Sequence, residues 1–170
     1  MGETFRSLRL REFRYFALGT LVVNVGSWML RIGQDWLVLE VTGSGTAVGV
    51  TTALQFLPML FVSPQAGKLA DRYPKQWLIA GAGVLTGASA LALGILVLTG
   101  AVHPWHVFAL ALVTGIGNAV DAPARQAFTR DLVAPADVPN AVGLTSATFH
   151  LGRIAGPAAA GLLIHHLGTG

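Results

Sequence analysis

Residues 143–161 read GLTSATFHLGRIAGPAAAG, and the reading of this stretch decides the fold. It is apolar, yet it carries Gly143, Gly152, Gly156, Gly161 and Pro157, residue types that weaken a helix in water. In a bilayer they are tolerated, because small residues let helices approach closely and neighbours re-satisfy freed backbone groups. Gly152 and Gly156 share one helical face. Ser146, His150 and Arg153 share another, turned by roughly 105° at about 100° per residue. The first face suits close packing and the second suits something polar. An arginine in the middle of a span costs several kcal/mol unless it is paired or wetted, so Arg153 reads either as a functional position or as a structural partner of a neighbouring helix.

The composition agrees. Of 170 residues, 53% are hydrophobic and 11% are charged, against roughly 25% charged in a soluble domain. So few charges would not clothe a soluble surface. The formal net charge is +3, but the basic residues lie between apolar runs and form no stripe with interleaved aromatics. No nucleic-acid partner is expected. The absence of cysteine excludes disulfides and thiolate metal sites. His103, His106, His165 and His166 lack acidic company and read as interfacial anchors, so neither a metal nor an organic cofactor is expected. The first apolar run begins near Tyr15, is too long for a signal-peptide core and lacks an A-x-A cleavage site.

Five apolar segments run over approximately 15–39, 46–66, 77–99, 105–122 and 140–165. Each is near the ~20 residues that cross a hydrocarbon core. Turn-forming residues separate them, including Thr42–Gly45, Asp71–Pro74, Gly100–Pro104 and a proline-bearing stretch from Pro123 to Pro139. No strand-like alternation is sustained. The expected fold class is all-α, a polytopic membrane bundle of five transmembrane helices over 15–170 in a lipid bilayer. A basic segment, 1–14, precedes it and reads either as an amphipathic helix on an anionic leaflet or as a solvated tail. Lysines and arginines occupy the N-terminus and the 2–3 and 4–5 connections. The 1–2 and 3–4 connections have none. The positive-inside rule then puts the N-terminus in the cytoplasm of a bacterial-type inner membrane.

Counting rise along each helix puts Asn24, Gln55 and Arg153 near the midplane, with Arg31 and Asp35 further out. Arg31 and Asp35 are four apart and suited either to pairing or to snorkelling beside Trp36. Asn24 and Gln55 suit either a cavity lining or interhelical hydrogen bonds. His150 and Asp35 are titratable, and a histidine near neutral pKa suits proton exchange. The glycine-rich faces of helices 3, 4 and 5 read as packing surfaces. Ser146 and His150 have hydrolase-like spacing, but one helix supplies no oxyanion hole and no G-x-S-x-G is present, so an enzyme is not expected.

The stretch Gly67-Lys68-Leu69-Ala70-Asp71-Arg72-Tyr73-Pro74-Lys75-Gln76 resembles the cytoplasmic signature loop of the major facilitator superfamily, G-x-L-A-D-R-x-G-R-[KR]. Gly67, Asp71, Arg72 and Lys75 carry the likeness, with Pro74 at the usual glycine. Gly143, Gly152, Gly156, Pro157 and Gly161 resemble the antiporter motif of drug/proton exporters, G-x8-G-x3-G-P-x2-G-G, with Ala160 at one glycine. Gly115-Ile116-Gly117-Asn118-Ala119 is similar to the tail of the helix 4 motif, whose basic residue is replaced by Ala111. Segments including 34–39, 123–128 and 152–157 look like the branch of enterobactin exporters and macrolide efflux proteins.

The resemblance implies two six-helix halves with substrate bound between them near the midplane. It implies a secondary active transporter exporting an amphiphilic small molecule, such as a drug or siderophore, with the proton gradient as energy source. Asn24, Arg31, Asp35, Gln55, His150 and Arg153 are then pathway candidates, with Arg153 facing an anionic substrate or a carboxylate. Lys75 is expected to meet Asp121 at the inner end of helix 4. Five spans correspond to a truncated N-terminal portion, with the C-terminal half as missing partner. The alternative is a non-transporting membrane scaffold.

Overall fold

A computed structural model describes residues 3–167, with side chains from 6 to 166. Residues 1–2 of the basic segment and the end at 168–170 lie outside the described residues. The described chain is helical throughout: α1 (Arg11–Thr42), α2 (Gly45–Arg72), α3 (Lys75–Leu98), α4 (Pro104–Asp131) and α5 (Val138–Leu167). Short 3-10 turns occupy Glu3–Arg9 and Pro135–Asp137.

Local chemistry sets the tight turns. Gly43 ends α1 in the left-handed region at φ 64°, where only glycine sits without strain. Ser44 caps α2 by accepting from the Ala47 N–H at 3.4 Å. Gly100, at φ 68°, closes α3. The His103 N–H donates to Nδ1 of His106 at 3.0 Å, satisfying a donor at the start of α4.

Four helices, α1 to α4, are long and apolar enough to cross a membrane. In α5 the 30 residues suffice for a crossing, but His150 and Arg153 interrupt its apolar run. On α3, Trp77, Val84, Leu91 and Leu98 recur every seven residues and are 71–77% exposed. At 1.5 Å per residue this stripe covers about 31 Å, close to the thickness of a hydrocarbon core. An apolar face of that length is stable against lipid and not against water.

The helices run on past the apolar segments. The span expected over 46–66 continues to Arg72, so Gly67, Asp71 and Arg72 lie on the last turns of α2 and the connection shrinks to Tyr73 and Pro74. The span expected over 105–122 continues through Pro123 to Asp131. Apolarity marks only the lipid-buried length, whereas backbone hydrogen bonding carries a helix beyond it. The N-terminal segment is tied to the start of α5 rather than free. The Ser7 N–H donates to Oδ1 of Asn140 at 3.1 Å, and Arg6 pairs with Asp137 at 3.0 Å.

In the bundle α1 packs on α5, α2 on α4, and α3 lies outside against α4. Close packing is concentrated at the two ends. One cluster joins Phe13, Ala17, Val133 and Ala141 at the basic end, and another joins Leu37, Val38, Leu93 and Val107 at the opposite end. Between them the bundle is open.

The small-residue faces divide. A Cβ on Gly152 would stand 2.7 Å from Asn24 Cβ, and one on Gly115 would stand 2.6 Å from the Leu54 carbonyl oxygen. These glycines, with Gly117 and Gly156, let backbones approach closely. Gly81, Gly83, Gly87 and Gly94 have nothing within 4 Å of an added Cβ, so the packing expected of the helix 3 glycines is not made among the described residues; Gly67, Gly143 and Gly161 are equally open.

Candidate functional site

The open middle is a cavity of about 640 Å³ lined by α1, α2, α4 and α5. The face split of residues 143–161 creates its wall. Gly152 and Gly156 press α5 onto α1 at Asn24 and Trp28. That contact turns Ser146, His150 and Arg153 together into the cavity.

Of the six pathway candidates, Asn24, Arg31, Gln55, His150 and Arg153 line this cavity, while Asp35 does not. Asn24 is both a liner and a tie, since its Nδ2 donates to Oγ1 of Thr148 on α5 at 3.3 Å. Gln55 is buried, and its Nε2 donates to Oε1 of Gln34 at 3.0 Å and to Oδ1 of Asp35 at 3.3 Å. This amide joins α2 to α1 just above the cavity and occupies the Asp35 carboxylate.

Arg31 neither ion-pairs with Asp35 nor snorkels to Trp36. Its guanidinium lies 4.3 Å from the Phe56 ring centre and 5.2 Å from that of Trp28. An aromatic face attracts a guanidinium through the ring quadrupole without bringing a second charge out of water. Arg153 approaches the same indole, at 5.7 Å. Phe149 meets Trp28 edge-on at 5.8 Å, completing an aromatic wall.

The expected contact of Lys75 with Asp121 is not made. Lys75 Nζ lies 2.6 Å from Asp131 Oδ2, and Asp121 is held by Arg125 at 2.5 Å. The reason is the length of α4. Because the helix runs through Pro123, Asp121 sits ten residues, about 15 Å, before the end that Lys75 reaches. Asp121 belongs to the cavity wall instead. Asp71, which carries the signature-loop likeness, is exposed on α2 and in no ion pair among the described residues.

Sequence reasoning missed Trp28, Phe56, Asn118 and Arg125, all in the lining. Arg125 was within reach of a spacing argument, being four residues after Asp121. Trp28, three residues before Arg31, was within the same reach, whereas Phe56, on another helix, carried no such signal. The arrangement offers a wet, partly aromatic chamber with fixed positive groups and one histidine. Among the described residues no group of three histidines or acids is placed to hold a metal.

The family model described as transmembrane secretion effector matches residues 2–170. The chain is 31% identical over 155 residues to the staphyloferrin A transporter of Staphylococcus aureus, covering 89% of this chain and 38% of that protein. It is 27% identical over 161 residues to macrolide efflux protein A of Streptococcus pyogenes, covering 95% of this chain and 40% of that protein. It is 28% identical over 153 residues to the multidrug efflux pump Tap of Mycolicibacterium fortuitum, covering 87% and 37%. The chain thus spans about two fifths of the length of these relatives. No solved structure matches it significantly.

Proposed function

Because the chain belongs to the transmembrane secretion effector family of the major facilitator superfamily, we propose that it forms the first part of a proton-coupled exporter of amphiphilic small molecules. The observation that carries this reading is the 640 Å³ chamber between α1, α2, α4 and α5, which holds polar and charged side chains inside a membrane bundle. Such groups are expensive at membrane depth and are placed where they meet water, ions or substrate. A second set of helices, from the remaining length of the protein, closes the chamber as the other wall. His150 lines the chamber and is in no ion pair among the described residues, and this reading gives it the coupling role.

The native gene product in proteoliposomes with an imposed proton gradient tests this. Gradient-driven movement of a macrolide, a siderophore or a drug-like amphiphile is expected, collapsing with a protonophore and uncoupled from the gradient in His150→Gln. Absence of gradient-dependent movement across such a panel would overturn it.

The export reading places the basic end in the cytoplasm of the bacterial plasma membrane. Eight of the eleven lysines and arginines flank that end, Arg31, Arg125 and Arg153 being the three that line the cavity. The chain has no cysteine, so single cysteines are clean reporters. A cysteine at Gly45, exposed and with nothing within 4 Å of an added Cβ, is expected to react with an impermeant maleimide on intact cells. One at Ala136 is expected to react only after permeabilisation. The reverse pattern would invert the topology.

A further inference from the structure

The cavity wall holds more positive charge than the bundle pairs off. Its charged lining is Arg31, Arg125 and Arg153 against one carboxylate, Asp121. Asp121 is taken by Arg125. Arg31, from α1, and Arg153, from α5, are in no ion pair among the described residues. Both guanidinium carbons instead lie within 6 Å of one ring centre, that of Trp28, at 5.2 and 5.7 Å. Nη1 of Arg31 is buried and has no acceptor in the protein.

An aromatic face holds a guanidinium by its charge and leaves its N–H edge free. That edge is a planar fork matched to a carboxylate or phosphoryl group, and it is weakly hydrated, so little is lost when a ligand replaces water. Two such forks beside one indole leave a net positive patch within a low-dielectric wall, where field lines are focused. Beside the patch, Phe56, Met59 and Phe149 offer apolar lining. A cationic amphiphile entering here would meet two like charges, while the one carboxylate of the lining, Asp121, is held by Arg125.

We propose that Arg31 and Arg153, gathered on Trp28, form a subsite for the oxyanion head group of an amphiphilic substrate, whose apolar body lies on Phe56, Met59 and Phe149. The proposal rests on the export reading and narrows its cargo to anions.

The test uses the native gene product and two probes with the same dansyl-alkyl body, one ending in a carboxylate and one in trimethylammonium. Binding is read in detergent by dansyl fluorescence, and movement is read in proteoliposomes. The carboxylate probe is expected to bind at least about tenfold more tightly than the ammonium probe. Arg31→Gln and Arg153→Gln are each expected to weaken the carboxylate probe about tenfold and to shrink the ratio between probes. Arg153→Lys keeps the charge and is expected to retain the preference, which separates loss of the subsite from misfolding. Equal or tighter binding of the ammonium probe overturns the proposal, as does an equal loss for both probes in the glutamine variants. Arginine-dependent carboxylate binding without gradient-driven movement keeps the subsite and sinks the export reading. Gradient-driven movement of the ammonium probe, unaffected by either arginine, keeps export and sinks the subsite.

Discussion

Gly156→Val is expected to remove most of the folded protein from the membrane, whereas Gly161→Ala in the same motif is expected to be close to neutral. At Gly156 an added Cβ would stand 2.5 Å from Trp28 Cβ, 2.9 Å from the Val25 carbonyl oxygen and 3.1 Å from the Met29 nitrogen. Two of those atoms are backbone, so no rotamer change relieves the clash. The whole of α1 must move away from α5. Lipid offers no hydrophobic drive to pull the helices back together, since the tails are as apolar as the side chains. The bundle depends on close contact there, and overpacking at one tight site costs about 1–3 kcal/mol. The displacement also carries Trp28 away from Arg153. Gly152→Val is expected to behave alike, since its Cβ would meet Asn24 Cβ at 2.7 Å and the Asn24 carbonyl carbon at 2.9 Å. At Gly161 nothing lies within 4 Å. The check is the monodisperse fraction and melting temperature of each purified variant. A Gly156→Val protein melting with the parent would mean that α1 and α5 are not held as described.

Much of this contact was legible in residues 143–161, because the two periodic sets on one helix lie on different faces whatever the neighbours do. Gly152 and Gly156 met α1, and Ser146, His150 and Arg153 met the cavity. What one helix does not encode is which of its faces a neighbour takes. The glycines of α3 and of α4 look alike in sequence, yet Gly117 of α4 receives Thr86 and Ala82 while Gly81, Gly83, Gly87 and Gly94 of α3 receive nothing. Rotation about the helix axis decides that, and it is set by the other helices. The end of α4 was misplaced for a different reason. Pro123 removes one backbone donor, which reads as a stop, but neighbouring helices make such a loss tolerable in a bundle. From that single error followed the wrong partner for Lys75, because a pairing across two helices depends on where each of them ends. Arg31 shows the same limit on a smaller scale. Asp35 and Trp36 are near it in sequence, while Phe56, which it meets, arrives from α2.

Arg125→Gln is expected to destabilise the bundle more than the joint replacement Asp121→Asn with Arg125→Gln. Arg125 Nε lies 2.5 Å from Asp121 Oδ2, and its Nη1 donates to Oγ1 of Thr20 on α1 at 3.2 Å. The two side chains are 15% and 19% exposed, so the cavity screens the pair only in part. Oδ1 of Asp121 already lacks a partner within the protein. Removing the arginine leaves a carboxylate in a poorly solvated wall, and breaking a buried pair in this way costs about 3 kcal/mol, less whatever cavity water restores. Removing both charges spares that penalty and loses mainly the tie to Thr20. A double-mutant cycle read by thermal unfolding is expected to show a coupling of at least about 1 kcal/mol between the two positions. Strict additivity would mean that each charge is solvated independently. The same cycle bears on the chamber's charge. With Arg125 gone, Asp121 cancels one of the two arginines on Trp28, so affinity for the carboxylate probe is expected to fall although no residue of the subsite has changed. In the joint replacement the wall returns to the net positive charge of the parent, and affinity is expected to return.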